Sequence, residues 1–512
     1  MVDTNFYDVV VCGGETAGLV AAALLARRGY RVLVVGDEPE QAALDAGGTA
    51  LSRAPALLPP LDEPHVVRVF KELDCVAVVK RRAPVAPGTR LVIGQHRIDL
   101  TADPAALERE LARAFGTSAA TLRAGIERMD ALGRIVEPLL ATSMTLPPNG
   151  FWERREVGRL ESLLPRTGTD PLAPLGTDHP FRAAAAAPAA LSTSLVPGGV
   201  GSVTEARAFA LARRGLHPLE GGLAALQELL YQRIETFGGE RRRRLEPVSV
   251  VVRRGRTAGL SVRPRDETIG CQWLLWSGSS AALRTTLGPA APPAPARARP
   301  AALRVTGYRY AVSLLVGAKA VPSGTPARLL AVGDPSRPLL EDNAIAVTVG
   351  QPAPREPDRI PIWIECTVPA HLVDAGPSYL RALRGRLLQT LERHWPELGK
   401  EILVVASPYD GLGAQRGSAD AAAGSAKMPS KAPATSVAVV PPPLYARATG
   451  GPFDVAGLPH ASGVKNLLLV GRENLPGLGL EGDLVSGWGA ARLVGHAPVR
   501  RVPLRRRTLL GS

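Results

Sequence analysis

The first 37 residues contain the pattern that most constrains the fold of this chain. An apolar run, Val9–Cys12, is followed by two glycines and then by an alanine- and leucine-rich helical pattern over Ala17–Arg28. A glycine ends that pattern, and a second β-branched run follows at Val32–Val35. This order predicts a strand, a turn, a helix and a second strand, in which the N-terminus of the helix faces a nucleotide diphosphate.

The turn of this unit departs from the usual spacing, which is G-x-G-x-x-G with an acidic residue at the end of the second strand. Gly13 and Gly18 occupy the first and third glycine positions, but Glu15 occupies the second. A glycine there lets the backbone approach the diphosphate, whereas a carboxylate repels it. The ribose-binding acid falls at Gly36, with Asp37 one residue later. The pattern predicts the fold and leaves open whether the cofactor still binds.

The basic character of the chain does not by itself indicate a nucleic-acid-binding protein. The formal net charge is +14 over 512 residues, and only seven of the 61 basic residues are lysines. A basic surface can attract nucleic acid or anionic lipid, but no basic motif interleaved with aromatic residues is present. We expect no nucleic-acid partner. Peripheral contact with an anionic membrane is predicted only for the C-terminal arginines, which are Arg500, Arg501, Arg505, Arg506 and Arg507.

The cysteines and the N-terminus indicate the compartment. The four cysteines are widely separated and form no CxxC pair or Cys/His cluster, which is typical of a reducing compartment and argues against structural zinc. The acidic residues before Val9 argue against a secretory signal, and Glu15 argues against a membrane span. We therefore predict a cytoplasmic protein without a bound metal, which contacts a membrane only peripherally at its inner face.

Residues 61–205 change in character and indicate an insertion of the kind that usually forms a substrate-covering domain. The alanine-rich segment Phe181–Pro197 either lines an apolar cavity or packs as a core helix. The elements predicted before it are strands over Val66–Phe70, Val76–Val79 and Leu91–Leu100, a helix that begins after the N-cap residue Asp103, and a helix over residues 119–140.

A second glycine pair marks the return of the nucleotide-domain pattern. Gly221 and Gly222 open a helix with leucines at helical spacing as far as Ile234. A hairpin over Val248–Val262 and a strand over Cys271–Gly278 complete this unit.

The remaining chain combines predicted strands, two low-complexity stretches and a final glycine-dense unit. Residues 303–405 alternate strands with one helix, Ser378–His394. In the last unit a buried strand, Leu467–Val470, precedes a glycine-rich turn and a helix from about Gly482 to Val494. Residues 288–302 are predicted as a linker and residues 412–436 as a mobile loop.

Three blocks of the chain together resemble the phytoene (carotenoid) desaturases, within the wider flavin amine-oxidase-like group. They are the N-terminal unit, the HPLEGGLAALQELL helix with its hairpin, and the C-terminal LLLVGRENLPGLGLEGDLVSG. The resemblance implies an α/β fold with a discontinuous Rossmann-like FAD-binding domain and an interleaved α+β substrate or cover domain. The implied boundaries are 1–60, 206–287 and 452–512 for the first domain and 61–205 and 303–451 for the second.

The resemblance also implies FAD as cofactor and hydride transfer between the flavin and a long apolar, isoprenoid- or polyene-like substrate. The flavin would supply the reactive atom, so no catalytic side chain is assigned. Val250, or Val248 two residues earlier, lies in the strand that would contact adenine. The candidate cofactor contacts are Gly13, Gly14, Glu15, Gly18, Asp37, Gly47, Gly48, Val250, Gly471, Arg472, Gly477 and Gly479.

Three hypotheses remain open at this point. An FAD enzyme requires the Glu15 carboxylate to turn away, to be protonated or to pair with an arginine, and Arg472 is the candidate partner. A flavin-free relative would instead bind a protein partner, as the Rab GDP-dissociation inhibitors of this general fold do. An amine oxidase acting on polar substrates would need an aromatic cage, for which a chain with 4% aromatic residues offers little material.

Overall fold

The structure, a computed structural model, describes residues 6–36, 43–45, 50–86, 88–162, 170–264, 266–292, 303–353, 356–374, 376–416, 439–447 and 455–496. Several of the predicted features lie outside these residues. They are Asp37, Gly47, Gly48, most of the two low-complexity stretches and the C-terminal arginines.

The first of the two large sheets contains the predicted nucleotide-binding unit. Its five parallel strands are joined by an antiparallel hairpin at one edge. The parallel strands are Phe6–Cys12, Val32–Val35, Glu240–Arg242, Glu267–Trp276 and Leu467–Leu469, and the hairpin strands are Glu246–Arg253 and Arg256–Arg263. This mixed arrangement confirms the predicted α/β fold class.

The central strands of this sheet are buried on both faces, which explains their continuous apolar runs. Val9 and Val11 pack into a core formed with the first helix, Thr16–Arg27. Val10 and Cys12 pack into a second core on the opposite face, under the hairpin. Alternation of side chains along a strand divides the run between the two cores.

The second large sheet is almost entirely antiparallel, and a single parallel pair joins its N-terminal hairpin to the rest. Its strands, in spatial order, are Gly413–Arg416, Ile402–Ser407, Leu303–Gly317, Arg359–Pro369, Ala344–Val349, Arg328–Val332, Thr89–Ile93 and His96–Leu100. Pro443–Arg447 pairs with Leu303–Gly317 outside that order. Two small ladders, Ala43–Asp45 with Ala50–Ser52 and Leu57–Leu58 with His217–Pro218, complete the described strands. The domain boundaries implied by the resemblance stay a prediction.

Fifteen described α-helices surround the sheets. Within the described residues, each of them is too short or too polar to cross a bilayer. Their bounds are Thr16–Arg27, Pro64–Glu72, Val76–Arg82, Pro104–Phe115, Ala119–Arg134, Glu137–Ala141, Phe151–Ser162, Phe181–Ser192, Ser202–Arg214, Gly222–Thr236, Ser280–Leu287, Ala370–Asp374, Pro377–His394, Leu398–Glu401 and Gly479–His496.

Two predicted strands are helices, and this part of the sequence prediction is wrong. Val66–Phe70 lies in the helix Pro64–Glu72, and Val76–Val79 lies in the helix Val76–Arg82. The valines suggested strands, but Val66, Val69 and Phe70 share one buried helix face and Pro64 begins the helix.

Smaller corrections concern element bounds. The predicted strand Leu91–Leu100 is a hairpin that turns at Gly94, which has a φ of 54°. The predicted loop over 412–436 begins with a strand, Gly413–Arg416, which pairs with Ile402–Ser407. The final helix begins at Gly479 rather than at Gly482.

A short strand from the nucleotide-binding half contacts the second sheet directly. The Ser52 carbonyl accepts hydrogen bonds from Trp363 Nε1 at 2.7 Å and from Ser313 Oγ at 2.9 Å. All three residues are buried. These bonds fix the second sheet over the half of the protein that contains the first sheet, and a cavity opens between the two.

Candidate functional site

The nucleotide turn, residues 13–18, packs closely against the end of the strand Glu267–Trp276. Gly13 has a φ of 104°, and a Cβ atom there would lie 2.1 Å from the Ser277 carbonyl oxygen. A Cβ atom on Gly18 would lie 2.1 Å from Ser277 Oγ. Gly13 therefore requires glycine because of its positive φ and the Ser277 backbone, and Gly18 because of the Ser277 side chain. Gln227 Nε2 also donates to the Gly14 carbonyl at 2.9 Å and fixes the turn.

The first helix begins within this turn without a side-chain cap. Glu15 occupies the N-cap position in an extended conformation, and its carboxylate makes no capping hydrogen bond. Its backbone carbonyl instead accepts from Leu19 N–H at 3.1 Å. The first-turn N–H groups of an uncapped helix favour an anionic ligand, because they lack intrahelical partners and lie at the positive end of the helix dipole.

The carboxylate of Glu15 pairs with Arg472, which is one of the three arrangements that the FAD hypothesis allows. Glu15 Oε1 lies 3.5 Å from Arg472 Nε, and both side chains are about one-quarter exposed, at 28% and 27%. The charge of Glu15 is the largest cause that raises the pKa of Arg472. A Cβ atom on Gly471 would lie 2.9 Å from Glu15 Oε2, so the glycine leaves room for the acid.

The C-terminal turn, residues 471–479, is shaped by Asn474. Asn474 Oδ1 accepts from Gly471 N–H at 2.8 Å and from Ser486 Oγ at 2.9 Å. Glu473 accepts from Tyr445 OH at 3.0 Å and from the Ser280 N–H at 3.0 Å. These bonds hold the turn so that Arg472 projects towards Glu15.

A cavity of about 210 Å³ lies between the C-terminal turn and the second sheet. Its lining combines leucine and proline side chains with seven ionisable ones. The apolar lining includes Pro55, Pro59, Leu191, Leu211, Leu216, Leu223, Pro442, Leu444, Leu478 and Leu480, and the charged lining comprises Arg207, Arg309, Arg328, Glu365, Arg472, Glu481 and Asp483.

Glu481 belongs to a buried ionic network beside the cavity. Arg207 Nη2 lies 2.7 Å from Glu481 Oε1, and His65 Nε2 lies 2.8 Å from the same oxygen. Burial alone would raise the pKa of Glu481, but the charge of Arg207 and the hydrogen bonds from His65 and Arg207 outweigh it and lower the pKa to about 2. Arg207 Nη1 also pairs with Glu137 Oε1 at 2.7 Å. The network keeps Glu481 ionised.

Asp483 differs from Glu481 because no partner satisfies it fully. Its Oδ1 atom is buried and makes no hydrogen bond to any residue that the structure describes. Burial raises the pKa of Asp483 to about 7, the charge of Arg472 opposes that shift, and the charge of Glu15 adds to it. Arg472 Nε is likewise buried without a hydrogen bond among the described residues. Within the described part of the chain, Asp483 Oδ1 is therefore an acceptor without a donor, whereas Arg472 Nε faces Glu15 in the ion pair.

Two of the cavity arginines have structural partners at the end of the helix Phe181–Ser192. Arg309 Nη2 donates to the Ala190 and Thr193 carbonyls at 2.9 and 3.0 Å. Arg328 Nη2 donates to the Leu191 carbonyl at 3.4 Å, and its Nη1 pairs with Glu365 Oε2 of the second sheet at 3.5 Å. The helix itself packs as a core element, and only its C-terminal end lines the cavity. Both readings of the alanine-rich segment thus hold for different parts of it.

The structure brings most of the described candidate residues together. The nucleotide turn with Glu15 meets Gly471 and Arg472, and Gly477 and Gly479 line the same cavity as Arg472. Val250 does not point towards that cavity, because its side chain is buried in the core beneath the hairpin. Its role in adenine binding stays a prediction that concerns only its backbone.

Sequence reasoning missed several residues of this site. Asp483 and Glu481 follow the glycine-rich turn without any recognisable motif, and Ser277 and Gln227 act through contacts with distant segments. The one available signal was the acidic pair in LEGD, which places two carboxylates in the first turns of a buried helix.

Comparisons with known proteins agree with this geometry. Residues 8–74 match the sequence profile of the family described as FAD binding domain. This match confirms the expected cofactor, FAD. Comparison of the sequence with those of curated proteins gives no match.

Solved structures share the fold over nearly the whole chain. An oxidoreductase from Methanosarcina mazei aligns with a TM-score of 0.59 at 15% identity, covering 94% of this chain and 99% of that one. A putrescine oxidase aligns with a TM-score of 0.58 at 14% identity, covering 96% and 100%. A cyclohexylamine oxidase from Brevibacterium oxydans aligns with a TM-score of 0.53 at 14% identity, covering 95% and 98%. At such identities the likeness shows the fold alone.

The described residues fit an FAD diphosphate at the nucleotide turn. The first helix lacks a side-chain cap, and Arg472 cancels the charge of Glu15 that would otherwise repel the ligand.

Proposed function

We propose that this protein is an FAD-dependent oxidoreductase that transfers a hydride between the flavin and an apolar small molecule bound in the cavity between the two halves. The observation that carries the proposal is the Glu15–Arg472 pair, which joins the nucleotide turn to the C-terminal turn and neutralises the acid in the cofactor motif. The match of residues 8–74 to an FAD binding domain supports the same cofactor.

The residues of the chain would bind and orient the cofactor rather than take part in the reaction themselves. The N-terminus of the first helix and Arg472 would hold the diphosphate, and the C-terminal turn would lie beside the rest of the cofactor. Gly479 has a φ of 54°, and a Cβ atom there would lie 2.2 Å from the Ser192 carbonyl. The bound flavin would supply the hydride acceptor or donor. The leucine and proline walls would exclude water from it.

The cavity supports an apolar substrate of limited buried size. Leu211, Leu216 and Leu444 offer only aliphatic surface. Its volume of about 210 Å³ is below the roughly 300–1,000 Å³ of pockets that enclose a drug-sized ligand. The isoprenoid- or polyene-like substrate implied by the resemblance would thus place one reactive segment inside and leave the remainder outside.

The absorption spectrum of the purified protein tests the cofactor proposal. We expect flavin bands in the native protein, or their appearance with a raised melting temperature when FAD is added, because a ligand that binds only the folded state stabilises it. NAD is the control ligand, since it shares the ADP moiety but lacks the isoalloxazine, and it should produce a smaller shift.

One observation also favours a second candidate function. The Glu15–Arg472 pair neutralises the acid of the nucleotide turn without any ligand, which a flavin-free binding protein of this fold would also require. Protein that is colourless and gains neither absorption nor stability with FAD would contradict the oxidoreductase proposal. That result would favour the binding-protein alternative, in which the cavity holds an apolar group of a protein partner.

A further inference from the structure

Asp483 lies beside the nucleotide turn because of how the two helices pack. A Cβ atom on Gly487 would lie 2.4 Å from the Ala17 carbonyl oxygen and 2.8 Å from Val20 Cβ, so the C-terminal helix touches the first helix there. Asp483 stands four residues before Gly487 in the same helix and therefore on the same face, one turn nearer the cavity. This position brings its carboxylate towards Arg472 and Glu15.

The charges at this point do not balance when all of them are ionised. One arginine, Arg472, faces two carboxylates, Glu15 and Asp483, which leaves one negative charge in excess. A dinucleotide diphosphate would add more negative charge to the same place. Negative charges in a partly buried site raise the pKa of a neighbouring carboxyl group. The remaining charged groups of the cavity are the paired Arg207 and Glu481, the paired Arg328 and Glu365, and Arg309.

We infer that binding of FAD is coupled to uptake of one proton by Asp483, so that the affinity for the cofactor falls as the pH rises above neutrality. The inference rests on the proposed FAD site and adds a titrating group to it. The buried and unsatisfied Oδ1 atom supports it, since a protonated carboxyl can donate a hydrogen bond where an ionised carboxylate can only accept one.

The direction of the pH effect follows from linkage. In the free protein, burial raises the pKa of Asp483 to about 7, and the added negative charge of the ligand raises it further. Below the first pKa the carboxyl is already protonated and the affinity is constant. Between the two pKa values the ligand must recruit a proton, so the affinity falls by up to about tenfold per pH unit.

Calorimetric titration of the full-length protein with FAD tests the inference. Titrations in two buffers with different ionisation enthalpies measure the number of protons taken up on binding. We expect uptake approaching one proton at about pH 8, and a dissociation constant roughly tenfold higher at pH 8.5 than at pH 7.5. The Asp483→Asn variant should bind FAD with no proton uptake and a flat pH profile.

Glu205→Gln is the matched control. Burial also raises the pKa of Glu205 to about 7, but this residue lies in the helix Ser202–Arg214 beside a separate pocket with Asp170 and Arg182. Its substitution should leave proton uptake unchanged. A pH slope that persists in Asp483→Asn would assign the effect to another group and overturn the inference.

The outcomes separate this inference from the proposed function. FAD binding without proton uptake leaves the oxidoreductase proposal intact and refutes the role of Asp483. No FAD binding at any pH overturns both. Because the calorimetric measurement on the unmodified protein gives the proton number directly, an absence of proton uptake refutes the inference whether or not the Asp483→Asn variant folds.

Discussion

At the scale of single residues, the pairing of Glu15 with Arg472 decides the charge of the nucleotide turn. The acid stands where a glycine usually admits the diphosphate, and the arginine comes from the far end of the sequence. A carboxylate without that partner would repel a second negative group at a cost on the order of 3 kcal/mol for charges a few ångströms apart at an effective protein dielectric.

A double-mutant cycle measures this pairing. Arg472→Met should weaken FAD binding at least tenfold, because it leaves Glu15 uncompensated, whereas Glu15→Gly with Arg472→Met should recover much of the loss. Fluorescence quenching of FAD at neutral pH gives the dissociation constants. Arg90→Met, which breaks the Arg90–Asp99 pair of the second sheet, is the control and should leave FAD affinity unchanged. A double variant no better than Arg472→Met would contradict the account.

For single residues, the sequence predicted that Glu15 interrupts the nucleotide motif more readily than it predicted which residues surround that acid. The spacing showed that Glu15 interrupts the motif, and the resemblance suggested Arg472 as its partner, which the geometry confirms. Asp483 and Ser277 could not be predicted, because their contacts depend on packing between segments that are distant in sequence. The roles of Asp37, Gly47 and Gly48 stay predictions.

At the scale of elements, the contact between the first helix and the C-terminal helix positions the two turns. Gly487 makes this contact close, and no larger side chain fits between it and the Ala17 carbonyl. The nucleotide turn precedes the first helix and the C-terminal turn precedes the C-terminal helix. A displacement of either helix would therefore separate Glu15 from Arg472.

Enlarging Gly487 should therefore impair both stability and cofactor binding. Gly487→Ala places a Cβ atom against backbone that cannot move aside, and we expect a loss of about 1–3 kcal/mol in the free energy of unfolding with weaker FAD binding. Urea denaturation and FAD titration measure the two effects.

Gly385→Ala is the matched control for that substitution. Gly385 lies exposed within the helix Pro377–His394, and a Cβ atom there meets nothing within 4 Å. Alanine should be neutral or stabilising by about 0.5–1 kcal/mol. Equal changes in stability in the two variants would show that the contact with Ala17 does not limit the size of the side chain at position 487.

Element type was predicted well where periodicity was long and poorly where it was short. The first helix and the helix Gly222–Thr236 carry many apolar residues at helical spacing and were predicted correctly. Val76–Arg82 spans only seven residues, so its valines outweighed the weak periodicity in the prediction. Its burial against the first core, which decides its conformation, is a tertiary property.

At the scale of the whole molecule, buried ionic contacts join segments from across the chain. Glu481 of the C-terminal helix pairs with Arg207 and His65, which belong to two other helices. Removing one member of a buried network leaves the others uncompensated, at a cost of about 3–5 kcal/mol.

Acid should weaken this network over a defined range. The pKa of Glu481 falls from 4.5 to about 2 on folding, so its contribution is present above the unfolded value and is lost as the pH falls through the folded value. The contribution is about 3 kcal/mol. Urea denaturation between about pH 5 and pH 2.5 should therefore show a smaller loss of stability for Glu481→Gln than for the unmodified protein.

Glu156→Gln provides the comparison. Glu156 forms an exposed pair with Arg159, so its replacement should leave the acid dependence unchanged. An identical pH profile for Glu481→Gln and the unmodified protein would show that the network does not contribute as described.

The global arrangement was only partly predictable. The alternation of strand and helix at the N-terminus specifies parallel pairing, and that prediction of an α/β fold is confirmed. The second sheet combines a hairpin at residues 89–100 with strands beyond residue 303, and local patterns do not determine such long-range pairing. Its contact with Ser52 likewise depends on the folded assembly.

Because Gly13 and Gly18 pack closely on Ser277, the presence of these two glycines does not by itself show that a protein of this fold still binds a nucleotide. Both glycines would be retained by selection for a stable fold even in a descendant that had abandoned nucleotides, since any side chain would collide with the neighbouring strand. The middle position escapes that steric demand and can drift. In chains of this architecture, an altered central residue and its compensating cation are thus more informative about cofactor history than the outer pair.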